Sequence, residues 1–182
     1  MEITTTPIAG LLVITPKVFR DDRGYFLETF NIKKLEEAGI NTSFVQDNES
    51  KSTQGVIRGL HYQLNPYAQG KLVRAIEGTV YDVAVDLRKD SPTFGQWYGV
   101  ELSGENKKQF YIPRGFAHGF SVLSETAVFA YKCDAYYHPE AERGIRFDDP
   151  ELNVDWKVDV QKAVVSAKDE ASVSFAKAEY NF

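Results

Sequence analysis

The sequence reads Gly55-Val56-Ile57-Arg58-Gly59-Leu60-His61-Tyr62-Gln63 at the end of its first third. This apolar run predicts a buried strand, yet it contains Arg58 and His61, two side chains that are rarely buried without a partner. A second apolar run begins at Lys71 and includes Arg74, so four cations or potential cations fall within 17 residues of strand-like pattern. Because breaks of a local rule are expected at functional sites, we expect the chemistry of the protein in these two strands.

Composition favours an all-β protein. The chain has 12 Phe and 10 Tyr against one Met, and aromatic side chains fit the pleated surface of a sheet. Strand-like segments recur at a spacing of roughly 8–12 residues with Gly, Pro and Asn between them, which is typical of a sandwich or barrel. The length of 182 residues predicts a single domain, 1–182, with N-terminal strands in 1–30, a barrel core at about 40–150 and a C-terminal extension over 151–182.

Individual elements follow from the local patterns. Two helices are expected: one from an Asn31 cap to Ala38, and one near the C-terminus, with Ser166 as N-cap and Asp169 at its third position. The expected strands cover residues 10–15, 25–30, 44–48, 55–63, 72–76, 80–87, 97–102, 109–112, 119–123 and 128–133. Glu77-Gly78-Thr79 predicts a hairpin turn between two of these strands.

Charge and composition also exclude several classes of function. A net charge of −5 gives no support to nucleic-acid binding, although it leaves room for a local basic pocket that binds a small anion. One cysteine, Cys133, excludes an internal disulfide. No apolar run approaches the ~20 residues of a membrane span, and no signal peptide opens the chain. A cytoplasmic protein without membrane contact is therefore expected.

Two of the three histidines lie in recognisable contexts. The pattern Pro113-Arg114-Gly115-Phe116-Ala117-His118 resembles the second motif of the cupin superfamily, in which a histidine points into the barrel. In metal-binding cupins the first motif carries His-x-His, whereas here Gln63 follows His61 at that spacing. A divalent ion needs three or four converging ligands, and this chain offers no third, so no metal is expected.

Simpler interpretations of the same residues remain open. His118 fits a hydrogen-bonded core histidine, Tyr131 one more aromatic in an aromatic-rich core, and Asp169 a first-turn helix acid that favours the dipole. Arg58 and His61 are three positions apart, so simple alternation places them on opposite faces. A bulge or bend at Gly59 would bring both side chains inward.

A set of motifs in fixed order carries a closer resemblance. These are Arg23-Gly24-Tyr25-Phe26-Leu27-Glu28, Phe44-Val45-Gln46-Asp47-Asn48, Val56-Ile57-Arg58-Gly59-Leu60-His61-Tyr62-Gln63, Gln69-Gly70-Lys71-Leu72-Val73-Arg74, Ser91-Pro92-Thr93-Phe94-Gly95, Gly115-Phe116-Ala117-His118-Gly119-Phe120, Tyr131-Lys132, Glu142-Arg143-Gly144-Ile145 and Asp148-Asp149-Pro150. Over residues 5–170 the chain resembles the dTDP-4-dehydrorhamnose 3,5-epimerase family of cupins. That resemblance implies a mainly β, cupin-type jelly roll, or double-stranded β-helix, with a few short helices.

The resemblance also implies an activity and a set of site residues. The substrate would be dTDP-4-keto-6-deoxy-D-glucose, epimerised at C3 and C5 by a homodimer without a cofactor, on the way to dTDP-L-rhamnose. His61 would be the base, oriented by Asp169, with Lys71 beside the C4 oxygen and Tyr131 as the acid. The substrate-binding positions would be Arg23, Glu28, Gln46, Asp47, Asn48, Arg58, Lys71, His118, Glu142 and Lys168, with Arg58 and His118 on the diphosphate. Separately from the resemblance, the apolar segment at residues 10–14, ahead of the barrel, predicts an N-terminal strand that is exchanged between subunits.

Three other functions compete with this interpretation. A related epimerase that acts at one carbon, or a ketoisomerase of another dTDP-deoxysugar pathway, would use the same base and acid. A metal-dependent cupin oxygenase or isomerase would need a metal site, which the missing His-x-His argues against. A non-catalytic module that binds nucleotide sugars would keep the arginines but would not need His61, Lys71 and Tyr131 together.

Overall fold

Two antiparallel sheets face each other in the computed structural model, which describes residues 1–182. Thirteen strands form: β1 Glu2–Thr5, β2 Leu12–Thr15, β3 Val18–Asp21, β4 Gly24–Leu27, β5 Gln46–Thr53, β6 Ile57–Gln63, β7 Lys71–Glu77, β8 Thr79–Asp86, β9 Trp97–Ser103, β10 Gln109–Ile112, β11 Phe116–Val122, β12 Thr126–Cys133 and β13 Glu142–Gly144. One sheet has the order β1-β2-β10-β7-β12-β5, and the other has the order β13-β6-β11-β8-β9. This arrangement confirms the mainly β prediction.

The apolar core lies between the two sheets. Val73 and Ala75 of β7 meet Val80 and Ala84 of β8 in one cluster, which also takes in Phe129. A second apolar cluster lies on the other face of the five-stranded sheet, where Trp156 is 1% exposed beneath the C-terminal segment. The central strands β8 and β11 of that sheet are therefore buried on both faces, which explains why they read as nearly continuous apolar runs.

A bulge interrupts the pairing of β6 with β11. His118 lies opposite His61 and Phe120 lies opposite Arg58, so the register shifts by one residue between the two pairs. Gly59 has φ +120°, and a Cβ there would lie 2.5 Å from the Cα of Gly119, so both positions require glycine. The predicted bulge at Gly59 is confirmed, and it lets Arg58 and His61 reach the same cavity.

The predicted hairpin at Glu77-Gly78-Thr79 is wrong. β7 pairs with β10 and β12, whereas β8 pairs with β11 and β9, so the turn carries the chain from one sheet to the other. Gly78 has φ +71°, and a Cβ there would lie 2.0 Å from the carbonyl oxygen of Thr126. The turn is therefore as tight as a hairpin. For this reason the sequence pattern does not distinguish a hairpin within one sheet from a connection between two sheets.

Other bounds also differ from the prediction. The strand expected at 44–48 is β5, which starts later and extends to Thr53 along the full length of β12. The strand expected at 25–30 ends at Leu27, where it pairs with the unforeseen β3 in a separate two-stranded ribbon. β1 and β13 were also not predicted, since both are short and neither is buried in full.

Both predicted helices are confirmed. Helix α1, Ile32–Glu37, has Asn31 as its N-cap, which accepts a hydrogen bond from the Lys34 backbone N–H. Helix α2, Ala167–Glu170, is a single turn capped by Ser166, which accepts from the Asp169 N–H. One-turn 3₁₀ helices occur at Pro139–Ala141, Val160–Lys162 and Phe175–Lys177. No helix is long and apolar enough to cross a membrane.

Candidate active site

A cavity of about 310 Å³ opens between the sheets and is lined by side chains from both. A smaller chamber of about 100 Å³ adjoins it, and His61, Lys71 and Tyr131 line both spaces. The five-stranded sheet contributes Arg58, His61 and His118, and the six-stranded sheet contributes Lys71 and Tyr131. The two stretches singled out in the sequence therefore meet across one cavity.

His61 and Asp169 form a hydrogen-bonded pair at the edge of this cavity. The Nε2 atom of His61 lies 2.5 Å from Oδ1 of Asp169, which is 3% exposed. The Ser166 hydroxyl donates to the other carboxylate oxygen at 2.9 Å, so the helix cap also fixes the orientation of Asp169. Burial raises the pKa of Asp169, but the hydrogen bond and positive charge of His61 and the Ser166 hydroxyl outweigh it, and the net pKa is lowered. Asp169 is thus an ionised partner that orients the imidazole.

Lys71 places an ammonium group in the cavity without a carboxylate partner. It is the first residue of β7, and its Nζ lies 5.9 Å from the centre of the Tyr131 ring. No side chain or carbonyl of the protein accepts a hydrogen bond from this amine. Burial lowers the pKa of Lys71, which reflects the cost of holding a charge away from water. A cation held in this way is available to a negative charge that develops on a ligand.

Tyr131 projects from β12 into the same space. It packs against Phe129 with ring centres 6.2 Å apart, and burial raises the pKa of its phenol. The hydroxyl is therefore protonated at neutral pH and can donate a proton. Because Tyr131 belongs to the sheet that faces His61, the phenol and the imidazole lie on opposite walls of the cavity.

His118 has a carboxylate partner that the sequence did not reveal. Its Nε2 lies 2.9 and 3.1 Å from the two oxygens of Asp82, which is 0% exposed on β8. Burial raises the pKa of Asp82 and lowers that of His118, while the attraction between the two opposes both shifts. The available signal was an acidic residue at an inward position of a mostly apolar strand, between Val80 and Ala84.

A second group of polar side chains surrounds the smaller chamber. Glu142 accepts a hydrogen bond from the Tyr137 hydroxyl and pairs with Lys168, each at 2.6 Å. Burial raises the pKa of Glu142, but these partners outweigh it and lower the net pKa. Tyr137 is half exposed at the rim of the chamber, and the sequence interpretation did not single it out. Through its ion pair with Lys168, Glu142 connects this rim to the residue that precedes Asp169.

Arg58, Gln46 and Asn48 occupy the remaining walls. The Nε of Arg58 donates to Ser52 at 3.0 Å, and its guanidinium has no carboxylate partner. Gln46 donates to Asn48 at 3.0 Å along β5, and both line the smaller chamber. Asp47 alternates to the outer face, where it pairs with Lys132 at 2.7 Å. Of the three predicted β5 residues, two therefore face the site within this chain.

Arg23 and Glu28 lie apart from the cavity. Arg23 pairs with Asp21 at the exposed turn of the β3–β4 ribbon, and its side chain is 90% exposed. Glu28 follows the ribbon and pairs with Lys34 at 2.6 Å beside α1. Neither residue lines the spaces around His61. The ribbon also exposes Phe19 and Phe26, which are 52% and 70% exposed.

Besides the two terminal nitrogens of Arg58, four polar atoms of the site have no partner within the protein. They are Nδ1 of His61, Nδ1 of His118, Nζ of Lys71 and the hydroxyl of Tyr131. All fully buried polar side-chain atoms of the molecule are hydrogen-bonded, so these four retain access to the cavity. An acceptor for a proton, a proton donor and a cation thus converge on one space, which defines a jelly-roll enzyme that moves protons on a bound ligand.

Comparison with known proteins specifies the family. Residues 5–177 match the family model described as dTDP-4-dehydrorhamnose 3,5-epimerase. A dTDP-4-dehydrorhamnose 3,5-epimerase of Shigella flexneri is 56% identical over 181 residues, which cover 99% of each chain. The chain therefore belongs to the dTDP-4-dehydrorhamnose 3,5-epimerase family, a group of isomerases with the cupin-type jelly roll.

Solved structures agree with this assignment. A 3,5-epimerase from Legionella pneumophila, in complex with dTDP-4-keto-L-rhamnose, is 54% identical with a TM-score of 0.93, over 97% of this chain and 93% of that one. A 3'-monoepimerase from Streptomyces bikiniensis, in complex with dTDP-quinovose, is 31% identical with a TM-score of 0.88, over 94% of this chain and 86% of that one. The same fold therefore serves both double and single epimerases.

Proposed function

We propose that this protein epimerises dTDP-4-keto-6-deoxy-D-glucose at C3 and C5, giving dTDP-4-keto-L-rhamnose for dTDP-L-rhamnose biosynthesis. The observation that carries the proposal is the placement of His61 and Tyr131 on opposing sheets across one cavity. Inversion of a carbon requires that a proton leave from one face of the sugar and that another arrive on the opposite face. An imidazole and a phenol on facing walls meet that requirement.

His61 is the general base in this mechanism. Since Asp169 engages Nε2, the accessible Nδ1 removes the proton from a carbon next to the C4 ketone. The ionised Asp169 stabilises the imidazolium that results, and it keeps the imidazole in the tautomer whose Nδ1 is free. Asp169 acts through His61 and is therefore a positioning residue.

Lys71 stabilises the charge that the base creates. When the proton leaves C3 or C5, the electron pair of the C–H bond moves into the ring and onto the C4 oxygen, which becomes an enolate. The unpaired ammonium of Lys71 supplies positive charge in a site largely shielded from water, where such charge is most effective. The predicted position beside the C4 oxygen follows from this chemistry.

Tyr131 completes the inversion as the general acid. Its protonated phenol delivers a proton to the carbon from the face opposite His61, and the enolate returns to the ketone. The imidazolium of His61 then releases its proton to solvent, which also reprotonates Tyr131. A second round at the other carbon next to the ketone gives the double inversion.

The polar walls hold the nucleotide sugar. Arg58 has the planar fork of donors that suits a diphosphate, and no carboxylate competes for it. The remaining binding positions in this chain are Gln46, Asn48, His118, Glu142 and Lys168, which line the two connected spaces. Asp47 was also predicted to bind the substrate, but its side chain faces outward in this chain and pairs with Lys132.

The active unit is a homodimer in which the β3–β4 ribbon crosses to the partner. The strand predicted at 10–14 does not cross, because it forms β2, which pairs with β1 and β10 of its own chain. Within one chain the ribbon pairs with no other strand, and Phe19 and Phe26 lie opposite each other on it and form an exposed apolar surface. Arg23 and Glu28 lie on or next to this ribbon, and neither lines the cavity of its own chain. A second copy that receives the ribbon would bury the aromatics and gain both polar residues for its substrate.

The test is the configuration of the product. The purified protein is incubated with dTDP-4-keto-6-deoxy-D-glucose, and proton coupling constants of the sugar are followed by NMR. Inversion at both carbons is expected. Inversion at C3 alone would place the protein with the monoepimerase relative, whereas binding of the nucleotide sugar without any conversion would indicate a binding module and overturn the proposal.

A further inference from the structure

Asp82 is a fully buried carboxylate with a single side-chain partner. It faces inward on β8 between Val80 and Ala84, in the apolar layer between the sheets, and is 0% exposed. Its only hydrogen bonds are with His118. Charge in such a position is unfavourable unless its partner is well placed, and an apolar residue of similar size would fill the same space. Stability of the fold alone therefore does not explain why a carboxylate occupies this position.

The ionisation of Asp82 determines which nitrogen of His118 carries a proton. Both carboxylate oxygens of Asp82 lie within 3.1 Å of Nε2, and an ionised carboxylate can only accept a hydrogen bond. Burial raises the pKa of Asp82, whereas the hydrogen bond to His118 and the charges of His118 and Lys71 favour the ionised form, in which Nε2 holds hydrogen. The other nitrogen, Nδ1, has no partner in the protein and reaches the cavity, since no fully buried polar side-chain atom lacks a partner.

The charge of the ring determines what Nδ1 can do. Burial and the positive charges of Lys71 and His61 lower the pKa of His118, and only Asp82 opposes them. A neutral ring with hydrogen on Nε2 has a lone pair on Nδ1, which accepts a hydrogen bond. Phosphate oxygens have no hydrogen to donate, but the hydroxyl groups of a hexose do.

We propose that Asp82 holds His118 with Nε2–H toward the core, so that Nδ1 accepts a hydrogen bond from a hydroxyl group of the hexose. Asp82 is thereby a positioning residue, and His118 recognises the sugar and not the diphosphate. The inference deepens the proposed function and rests on it, because the hexose is the substrate named there. It also assigns a distinct role to each of the two histidines that share the cavity.

The first experiment measures the tautomer in the unaltered protein. Long-range proton–nitrogen correlation spectra of ¹⁵N-labelled protein distinguish the two neutral forms of histidine and the charged form, and the His118→Asn variant identifies the signals. At pH 7 we expect a neutral His118 with hydrogen on Nε2. A doubly protonated ring, or hydrogen on Nδ1 alone, would overturn the proposal.

The second experiment uses Asp82→Asn, which keeps the volume but lets either an amide oxygen or an amide nitrogen face His118. Loss of one hydrogen bond to the substrate predicts a fall in kcat/KM of roughly tenfold to a hundredfold. The affinity for dTDP, which lacks the hexose, is expected to stay at the wild-type value. An equal loss of dTDP affinity would mean that His118 binds the nucleotide and would contradict the proposal, as would unchanged kcat/KM.

Asp86→Asn is the matched control, because Asp86 is equally buried on the same strand but bonds Arg88, Ser91 and Thr93 away from the cavity. This variant is expected to lower the melting temperature and to leave the His118 spectrum and kcat/KM per folded molecule unchanged. Should Asp82→Asn fail to fold, the spectrum of the wild-type protein decides the question. Absence of wild-type turnover would defeat the proposed function, whereas wild-type turnover with an insensitive Asp82→Asn variant would defeat only this inference.

Discussion

His61 and His118 lie directly opposite each other on β6 and β11, and each bonds a separate carboxylate through Nε2. Their side chains differ in exposure, 30% for His61 and 7% for His118. The partner of His61 comes from a surface helix turn, and the partner of His118 comes from the core. The more exposed His61 is suited to a base that exchanges its proton with water. The buried His118 is suited to a binding residue that keeps its proton.

Asp169→Asn is expected to lower kcat roughly a hundredfold or more, with a smaller change in KM, because the imidazole loses its orientation and its counter-charge. The pH dependence of stability gives an independent readout. The pKa of Asp169 is lowered from 3.8, so the ionised carboxylate stabilises the folded state above that value, and this contribution is lost as the pH falls through the lowered pKa. The difference in melting temperature between wild type and variant should therefore shrink below pH 3.8. Unchanged kcat in the variant would contradict the dyad.

Tyr131→Phe is expected to lose at least roughly a hundredfold in epimerisation, because no acid remains on the face opposite the base. Proton removal by His61 does not need the phenol, so exchange of the substrate proton with solvent should continue faster than inversion. Tyr111→Phe is the matched control, since burial raises the pKa of that phenol as well but it packs with the cluster on the outer face of the six-stranded sheet. Equal losses in both variants would speak against a role for Tyr131 as the acid.

Lys71→Met is expected to stabilise the protein while it lowers kcat by roughly 10²–10³. Since the pKa of Lys71 is lowered from 10.5, its charge opposes folding at pH 7, and this penalty is lost as the pH rises from the lowered pKa to 10.5. Removal of the charge should therefore raise the melting temperature by a few degrees at pH 7. Lys51→Met, at an exposed lysine on β5, should change neither property. A Lys71→Met protein that is less stable than wild type would contradict this description of the charge.

A mixture of Arg23→Ala and His61→Ala proteins tests the exchanged ribbon. Each variant alone lacks a needed residue at both sites of its dimer. In a mixed dimer with crossed ribbons, one site contains both His61 and Arg23, so random reassociation should restore about a quarter of the wild-type activity. If the ribbon served its own chain, every mixed site would carry one defect, and no activity above the average of the two parents would appear.

Sequence patterns predicted the local structure correctly where only one or a few residue types fit the required backbone geometry. Glycine at position 59 beside Arg58 and His61 pointed to the bulge, because no other residue tolerates that φ and that contact with Gly119. Ser166 and Asp169 likewise defined a helix cap from spacing alone. The recurrent apolar runs predicted the buried strands for the same reason.

Prediction failed where the signal lay outside the local sequence. The residues of β5 are all polar, because one face lines the cavity and the other faces solvent, so hydrophobic alternation is absent. The partner of a strand depends on the whole fold, and therefore Gly78 could not reveal that β7 and β8 belong to different sheets. Asp82 was overlooked because its role depends on His118, 36 positions away.

The most direct measurement is deuterium incorporation during turnover. Purified protein, after treatment with a chelator, is incubated with dTDP-4-keto-6-deoxy-D-glucose in heavy water, and the label is located by NMR and mass. We predict deuterium at C3 and C5 with the wild-type protein, and none at a comparable rate with a folded His61→Ala variant. Label at near wild-type rate in that variant, or no label at either carbon in the wild type, would contradict proton transfer by His61 across this cavity.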